Sequence, residues 1–142
     1  MRANLDHIAF HLMRKLFQEH TASWQTALST VTKPQYSVMR AIAADPGIKQ
    51  HGLIEAAVST KATLAEMLAR MEKRNLIYRQ QDIEDKRSRC VYLTQAGYAL
   101  LESITPLANG IDESYLKRLS SSERSEFVRL LHKMIAQEEQ GA

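Results

Sequence analysis

One cysteine, Cys90, in 142 residues excludes an internal disulfide and suits a reducing compartment. Five glycines and three prolines leave no phosphate-cradling glycine loop, no flexible linker and no low-complexity segment. No apolar run approaches the roughly 20 residues of a membrane helix. The opening MRANLDHIAFHLMRK is interrupted by Asp6, His7 and His11, so it lacks the apolar core of a signal peptide. These absences predict a soluble, cytoplasmic, single-domain protein without a membrane partner. Enzyme signatures are missing too: there is no nucleophile elbow and no acid–base constellation, so no catalytic residue is assigned. An excess of one charge is also nearly absent. Nineteen basic residues face sixteen acidic ones, a net charge of +3, which by itself argues little about partners.

The distribution of charge says more. Between Ser59 and Arg89 eight basic residues face five acidic ones, so this stretch carries the whole excess. It begins as a helix. Ser59 is the expected N-cap, and Leu64, Leu68 and Met71, with Met67 beside them, form one apolar stripe. The other face carries Thr60, Lys61, Thr63, Glu66 and Arg70. Ala62 and Ala65 add little bulk, so the first turn can approach base edges in a major groove. An ordinary amphipathic surface helix shows the same pattern, so the helix alone does not decide. Asn75 tolerates the left-handed conformation that ends helices. Leu76-Ile77-Tyr78 and Cys90-Val91-Tyr92-Leu93 then read as strands. The tip between them, DIEDKRSR, lacks the Gly, Asn or Pro of a simple turn. Its Lys86 and Arg87 can reach a minor groove or its phosphates. A solvated hairpin is the plainer alternative.

Residues 4–29 read as a first helix with a stripe of Leu5, Ile8, Ala9, Leu12, Leu16 and Phe17, extended by Trp24, Ala27 and Leu28. So much apolar surface predicts a second copy of the chain. Thr32 and Gln35 have capping-box spacing, and Pro34 suits a first turn. Asp45-Pro46-Gly47 stops that second helix. Residues 48–57 are expected as one short helix anchored by Ile48, Leu53 and Ile54, with Lys49, Gln50 and His51 placed for backbone phosphates. Thr94 caps a long helix whose seam is Leu101, Ile104, Ala108, Ile111 and Tyr115. Pro106 predicts a kink there, with two separate helices as the alternative. Ser120 and Glu123 open a last helix carrying Phe127, Leu130, Leu131, Met134 and Ile135, which frays through EEQGA.

The string MLARMEKRNLIYRQQDIEDKRSRCVYLTQAG resembles the MarR family of bacterial transcription regulators. The family pattern runs close to L-x-x-L-x-x-x-G-L-[IV]-x-R, then D-x-x-D-x-R, then L-T-x-x-G. Leu76, Ile77, Arg79, Asp82, Asp85, Arg87, Leu93, Thr94 and Gly97 match it, and Asn75 stands where the family has Gly. With the flanking helices, the resemblance covers essentially the whole chain.

The resemblance implies a mainly α protein with a small β-hairpin wing. The fold is a winged helix-turn-helix over residues 32–94, with dimerisation helices over 1–31 and 95–142. It implies a homodimer that binds double-stranded DNA at a pseudo-palindromic operator, often as a repressor relieved by a small ligand. The residues expected at DNA are Lys49, His51, Ser59, Thr60, Lys61, Thr63, Arg70, Arg79, Asp85, Lys86 and Arg87. A winged helix used only for protein interaction is the alternative function. The resemblance also implies a ligand pocket between the dimer helices and the DNA-binding lobe. His7, His11, Arg14, Tyr36, Met39 and Arg40 are its candidates, a mixture of cations and aromatics suited to a small aromatic acid. No other cofactor and no metal is expected. His7 and His11 have a spacing that fits one metal, but no third ligand joins them. Cys90 beside Arg89 is either a packed thiol or a redox sensor, and its strand position favours packing.

Overall fold

The structure is a computed structural model that describes residues 4–136. Its elements are α1 (Ala9–Ala27), α2 (Lys33–Ala44), β1 (Ile48–Lys49), a 3₁₀ turn (Gln50–Gly52), α3 (Leu53–Ala57), α4 (Lys61–Lys73), β2 (Ile77–Gln81), β3 (Arg89–Leu93), α5 (Gln95–Leu116) and α6 (Ser121–Ile135). The mainly α winged helix-turn-helix forms as expected, with α4 as the second helix of the motif and β2–β3 as the wing. The expected fraying of EEQGA lies outside the described residues. Among the described residues no helix is long and apolar enough to cross a membrane.

Local sequence accounts for most boundaries. Thr32 and Gln35 close the capping box of α2 with both hydrogen bonds in place, and Ser120 and Glu123 do the same for α6. Asn75 takes φ 59° and so turns the chain out of α4. The helix after the wing is continuous across Pro106, so two separate helices do not form. The L-T-x-x-G motif has a packing cause. The Thr94 hydroxyl caps α5 by accepting from the Gly97 N–H at 2.9 Å, and it donates to the Asn75 carbonyl at 2.6 Å. A Cβ on Gly97 would sit 2.1 Å from the Leu76 carbonyl oxygen, so no larger residue fits that crossing.

Two boundaries differ from expectation. The first helix begins at Ala9, because residues 4–8 form a turn in which the Asn4 side chain accepts from the Asp6 N–H. Residues 48–57 are not one helix. Gly47 adopts φ 88°, and its N–H donates to the Val91 carbonyl. Ile48 and Lys49 then pair with Val91 and Cys90 as a third, antiparallel strand, in the order β1-β3-β2. A two-residue strand is too short to show a periodicity.

The core lies between α2, α3, α4, the sheet and α5. Val38, Met39, Ile42, Leu53, Leu64, Leu68, Met71, Ile77 and Val91 are fully buried, each worth about 1.5–3 kcal/mol of transfer. The α5 residues Leu101, Ile104, Ala108 and Ile111 are buried as the seam predicted. In α1 only Trp24 is buried, its indole N–H donating to the Val31 carbonyl at 2.8 Å. Ile8, Phe10, Leu12, Leu16 and Phe17 remain exposed, and so do Phe127, Val128, Leu130, Met134 and Ile135 at the other end of the chain. No described residue of α6 is buried. The two terminal helices therefore carry apolar faces that this chain leaves uncovered.

Candidate nucleic-acid interface

The turn before α4 sets where that helix starts. Val58 sits in the left-handed region at φ 49°, where a β-branched residue is strained. The Ser59 N–H donates back to the Ile54 carbonyl at 3.2 Å. Ser59 therefore belongs to the turn, and the expectation that it caps α4 is corrected. Thr60 is the cap. Its hydroxyl oxygen accepts from the Thr63 N–H at 3.2 Å and donates to the Thr63 hydroxyl at 3.0 Å. The two threonines thus order the helix start while staying at the surface, with Lys61 exposed between them and Arg70 exposed further along α4.

In the wing the acids make the turn. The Asp82 carboxylate accepts from the Asp85 N–H at 3.2 Å, and Asp85 accepts from the Arg87 N–H and the Ser88 hydroxyl, each at 3.0 Å. Asp and Asn share this ability to fold back on their own backbone. The tip is thus a built turn despite lacking Gly, Asn and Pro. Asp85, expected among the DNA-facing residues, spends its carboxylate on this turn while staying 44% exposed. Its hydrogen bond from the Arg87 N–H, with help from Ser88, holds the carboxyl below the ordinary range. Arg87 itself projects outward, its side chain 95% exposed and only 3.7 Å from Asp85 at its nearest. Lys49, on β1, pairs with Asp82 at 3.7 Å.

Arg79 is placed differently from the other cations. Its side chain is 16% exposed. The guanidinium donates to both Glu72 oxygens at 2.9 and 3.2 Å and to the Gln50 side chain at 3.2 Å. Arg79 therefore ties β2 to the end of α4 and to the 3₁₀ turn. Its hydrogen bond is the main reason that the Glu72 carboxyl is held below its ordinary range.

A cleft of about 440 Å³ opens between the start of α4 and the wing, and it collects His51, Lys61, Arg79, Arg87 and Arg89 with Gln50 and Ser88. No acidic residue lines it. Arg89 was not among the expected site residues. The signal for Arg89 was strand parity, since it alternates with half-buried Cys90 on β3. The same parity carries Arg89 away from the thiol, whose described neighbour is the Asp82 carboxylate at 3.9 Å. A carboxylate there gives no support to a reactive thiolate.

A second cavity, of about 580 Å³, lies among α1, α2, the α3–α4 turn and α5. Its walls are mostly apolar, with Leu16, Phe17, Pro34, Ala56, Ala57 and Leu116 among them. Its polar groups converge. The Asp112 carboxylate lies 2.7 Å from His20 Nε2, and Lys33 Nζ lies 3.0 Å from Nδ1 of the same ring. The Tyr115 hydroxyl lies 2.8 Å from that of Ser23. Burial pushes the Lys33 ammonium below its ordinary range, with Asp112 pulling the other way.

None of the six expected ligand residues lines this cavity. His7 precedes α1, so it does not share a helical face with His11. Arg14 stands two residues from Leu16, on the far side of the helix, above a shallow depression with Phe17 and Gln18. On α2 the cavity face is Lys33 and Ser37. Tyr36 stands beside that face, packing on Trp24 at 5.5 Å and accepting from Arg40 at 3.0 Å, and Arg40 lies a turn further along α2. Met39 is fully buried in the core.

Comparison with known proteins agrees with this architecture. The family model described as the MarR family matches residues 31–88. The chain is 58% identical over 127 residues to the transcriptional regulator HosA of Escherichia coli O157:H7, covering 89% of this chain and 94% of HosA. The PcaV transcriptional regulator of Streptomyces coelicolor, solved with its natural ligand, superposes with a TM-score of 0.88 at 28% identity, covering 95% of this chain and 96% of PcaV. Bordetella bronchiseptica BpsR, whose DNA binding is regulated by 6-hydroxynicotinic acid, superposes with a TM-score of 0.86 at 29% identity, covering 94% and 97%.

Proposed function

The chain belongs to the MarR family of transcriptional regulators, and on that footing we propose that it is a homodimeric, DNA-binding repressor released by a small aromatic acid. The acid-free cleft carries the DNA half of this reading, because it joins Lys61 at the start of α4 to Arg87 and Arg89 on the wing. A helix start and a flanking cationic tip match a major groove and the phosphates or minor groove beside it. Lys61 and the surface around Thr60 and Thr63 read bases, Arg87 and Lys86 hold the flanking backbone, and Arg79 positions the wing. DNA as ligand implies a cytoplasmic site of action.

The uncovered apolar faces of α1 and α6 support a second copy, with residues 1–31 and 95–142 as the dimerisation part and 32–94 as the DNA-binding lobe. Two-fold symmetry then calls for a pseudo-palindromic operator with half-sites about one helical turn apart. The apolar cavity with Lys33 and His20 is the seat of the effector. It supports an aromatic monocarboxylate, because an apolar wall and a converging cation are what such a ligand needs. Ala56, Ala57 and Val58 line that cavity two residues before the Thr60 cap, so an occupant bears on the start of α4. Such a ligand releases DNA by favouring dimers whose α4 helices are wrongly spaced.

The test is fluorescence anisotropy with DNA from upstream of the chain's own gene. The expected result is specific binding that Lys61→Glu reduces to the level of scrambled DNA and that an aromatic acid weakens. Equal affinity of the unmodified protein for both DNAs would refute the operator reading and favour a protein-interaction module.

A further inference from the structure

Lysine ammonium groups only donate. The Lys33 Nζ–His20 Nδ1 contact of 3.0 Å therefore makes Nδ1 an acceptor. A neutral imidazole has one acceptor and one donor nitrogen, so Nε2 carries the proton and donates it to the Asp112 carboxylate at 2.7 Å. The tautomer protonated on Nε2 satisfies both contacts, whereas a proton on Nδ1 would face an ammonium.

The cavity then holds one positive charge on Lys33 and one negative charge on Asp112. A monocarboxylate that pairs with Lys33 adds a second negative charge and draws the ammonium off Nδ1. The freed nitrogen faces that carboxylate while Nε2 still faces Asp112. An imidazole between two carboxylates is best satisfied as the cation, with both nitrogens donating. The other groups facing the ring do not compensate. Tyr115, 5.6 Å away between ring centroids, has its hydroxyl turned to Ser23, and the α3–α4 turn contributes only Ala56, Ala57 and Val58. Imidazole is also the side chain whose charge changes near neutral pH.

We infer that the cavity takes up a proton on His20 together with each monocarboxylate it binds, so the regulator senses the acid and pH jointly. This inference rests on the effector reading of the cavity. The binding step moves one proton from solvent to Nδ1 and changes no covalent bond of the ligand.

The experiment is titration calorimetry of the full chain with benzoate and with 6-hydroxynicotinate, in phosphate and in Tris at pH 7. The buffer dependence of the heat gives the number of protons taken up. The expected result is half a proton or more per acid bound, equivalent to binding that weakens at least about threefold per pH unit. Benzamide, which is neutral, is expected to bind without uptake. Glutamine can accept from Lys33 and donate to Asp112 without titrating, so in His20→Gln the proton uptake per acid bound is expected to fall to zero, whatever the affinity that remains. Binding of the acids with less than half a proton overturns this inference alone. Uptake that persists in His20→Gln, or equal uptake with benzamide, overturns it as well. No heat with either acid at any pH overturns the effector reading itself. The measurement on the unmodified protein decides the question even if the variant fails to fold.

Discussion

Arg79 and Arg87 are both arginines of the wing, and the sequence placed both at DNA. Their surroundings predict opposite consequences of removal. Arg87 is 95% exposed, with only a loose contact to Asp85. An exposed pair of that kind is screened by solvent and contributes little, so Arg87→Ala leaves the melting temperature nearly unchanged. On the proposed reading the same side chain neutralises phosphate charge on DNA. Each lost contact removes about 0.9 from the slope of log K against log salt, and the two copies in a dimer remove about 1.8. Affinity at moderate salt falls by about tenfold or more.

Arg79→Ala instead strips a bidentate partner from Glu72 and a donor from Gln50. The expected loss is about 1 kcal/mol, or roughly 2–4 °C in melting temperature at fixed protein concentration. DNA binding weakens because the wing is less well placed, but the salt slope stays at its original value. The assay is anisotropy with one operator fragment across five salt concentrations, beside a thermal melt of each variant. If Arg87→Ala keeps the slope and Arg79→Ala lowers it, the roles are reversed and the assignment is wrong.

Gly97→Ala is expected to abolish folding or cost more than about 3 kcal/mol, since its Cβ meets the Leu76 carbonyl at 2.1 Å; a melt within a degree of the original would refute the close crossing. Val58→Gly relieves the left-handed strain of about 1–2 kcal/mol against glycine's extra chain entropy of about 0.5–1 kcal/mol, and a denaturant titration is expected to show an unfolding free energy raised by roughly 0.5–1 kcal/mol. Leu130→Glu places a charge on the uncovered face of α6, and light scattering is expected to show monomers; an intact dimer would place the interface elsewhere. The wing tip should loosen in acid. Asp85 has its folded-state pKa below the unfolded one, so its stabilisation is complete above the ordinary carboxylate range, about pH 4. It is lost as pH falls through the depressed value. Amide exchange at Arg87 and Ser88, corrected for its intrinsic pH dependence, is expected to accelerate only below that range.

What the sequence determined by itself was local. Thr32 with Gln35, Ser120 with Glu123, Thr94 before Gly97 and the left-handed Asn75 each act across four residues or fewer, so spacing reveals them. The apolar stripes of α4 and α5 were legible for the same reason, because a helix repeats its face every few residues. The pattern from Leu76 to Gly97 carried the family. Tertiary structure decided the rest. Strand β1 exists only because Gly47 turns the chain onto Val91. The resemblance placed Asp85 and Arg79 at DNA, but their hydrogen bonds within the fold appear only in three dimensions. The cavity proposed for the effector is the extreme case. His20 meets Asp112 across a separation of 92 residues, and Lys33 across 13, so no periodicity links them. Helix packing alone brings a histidine without a local partner, a first-turn lysine and an aspartate of α5 onto one another.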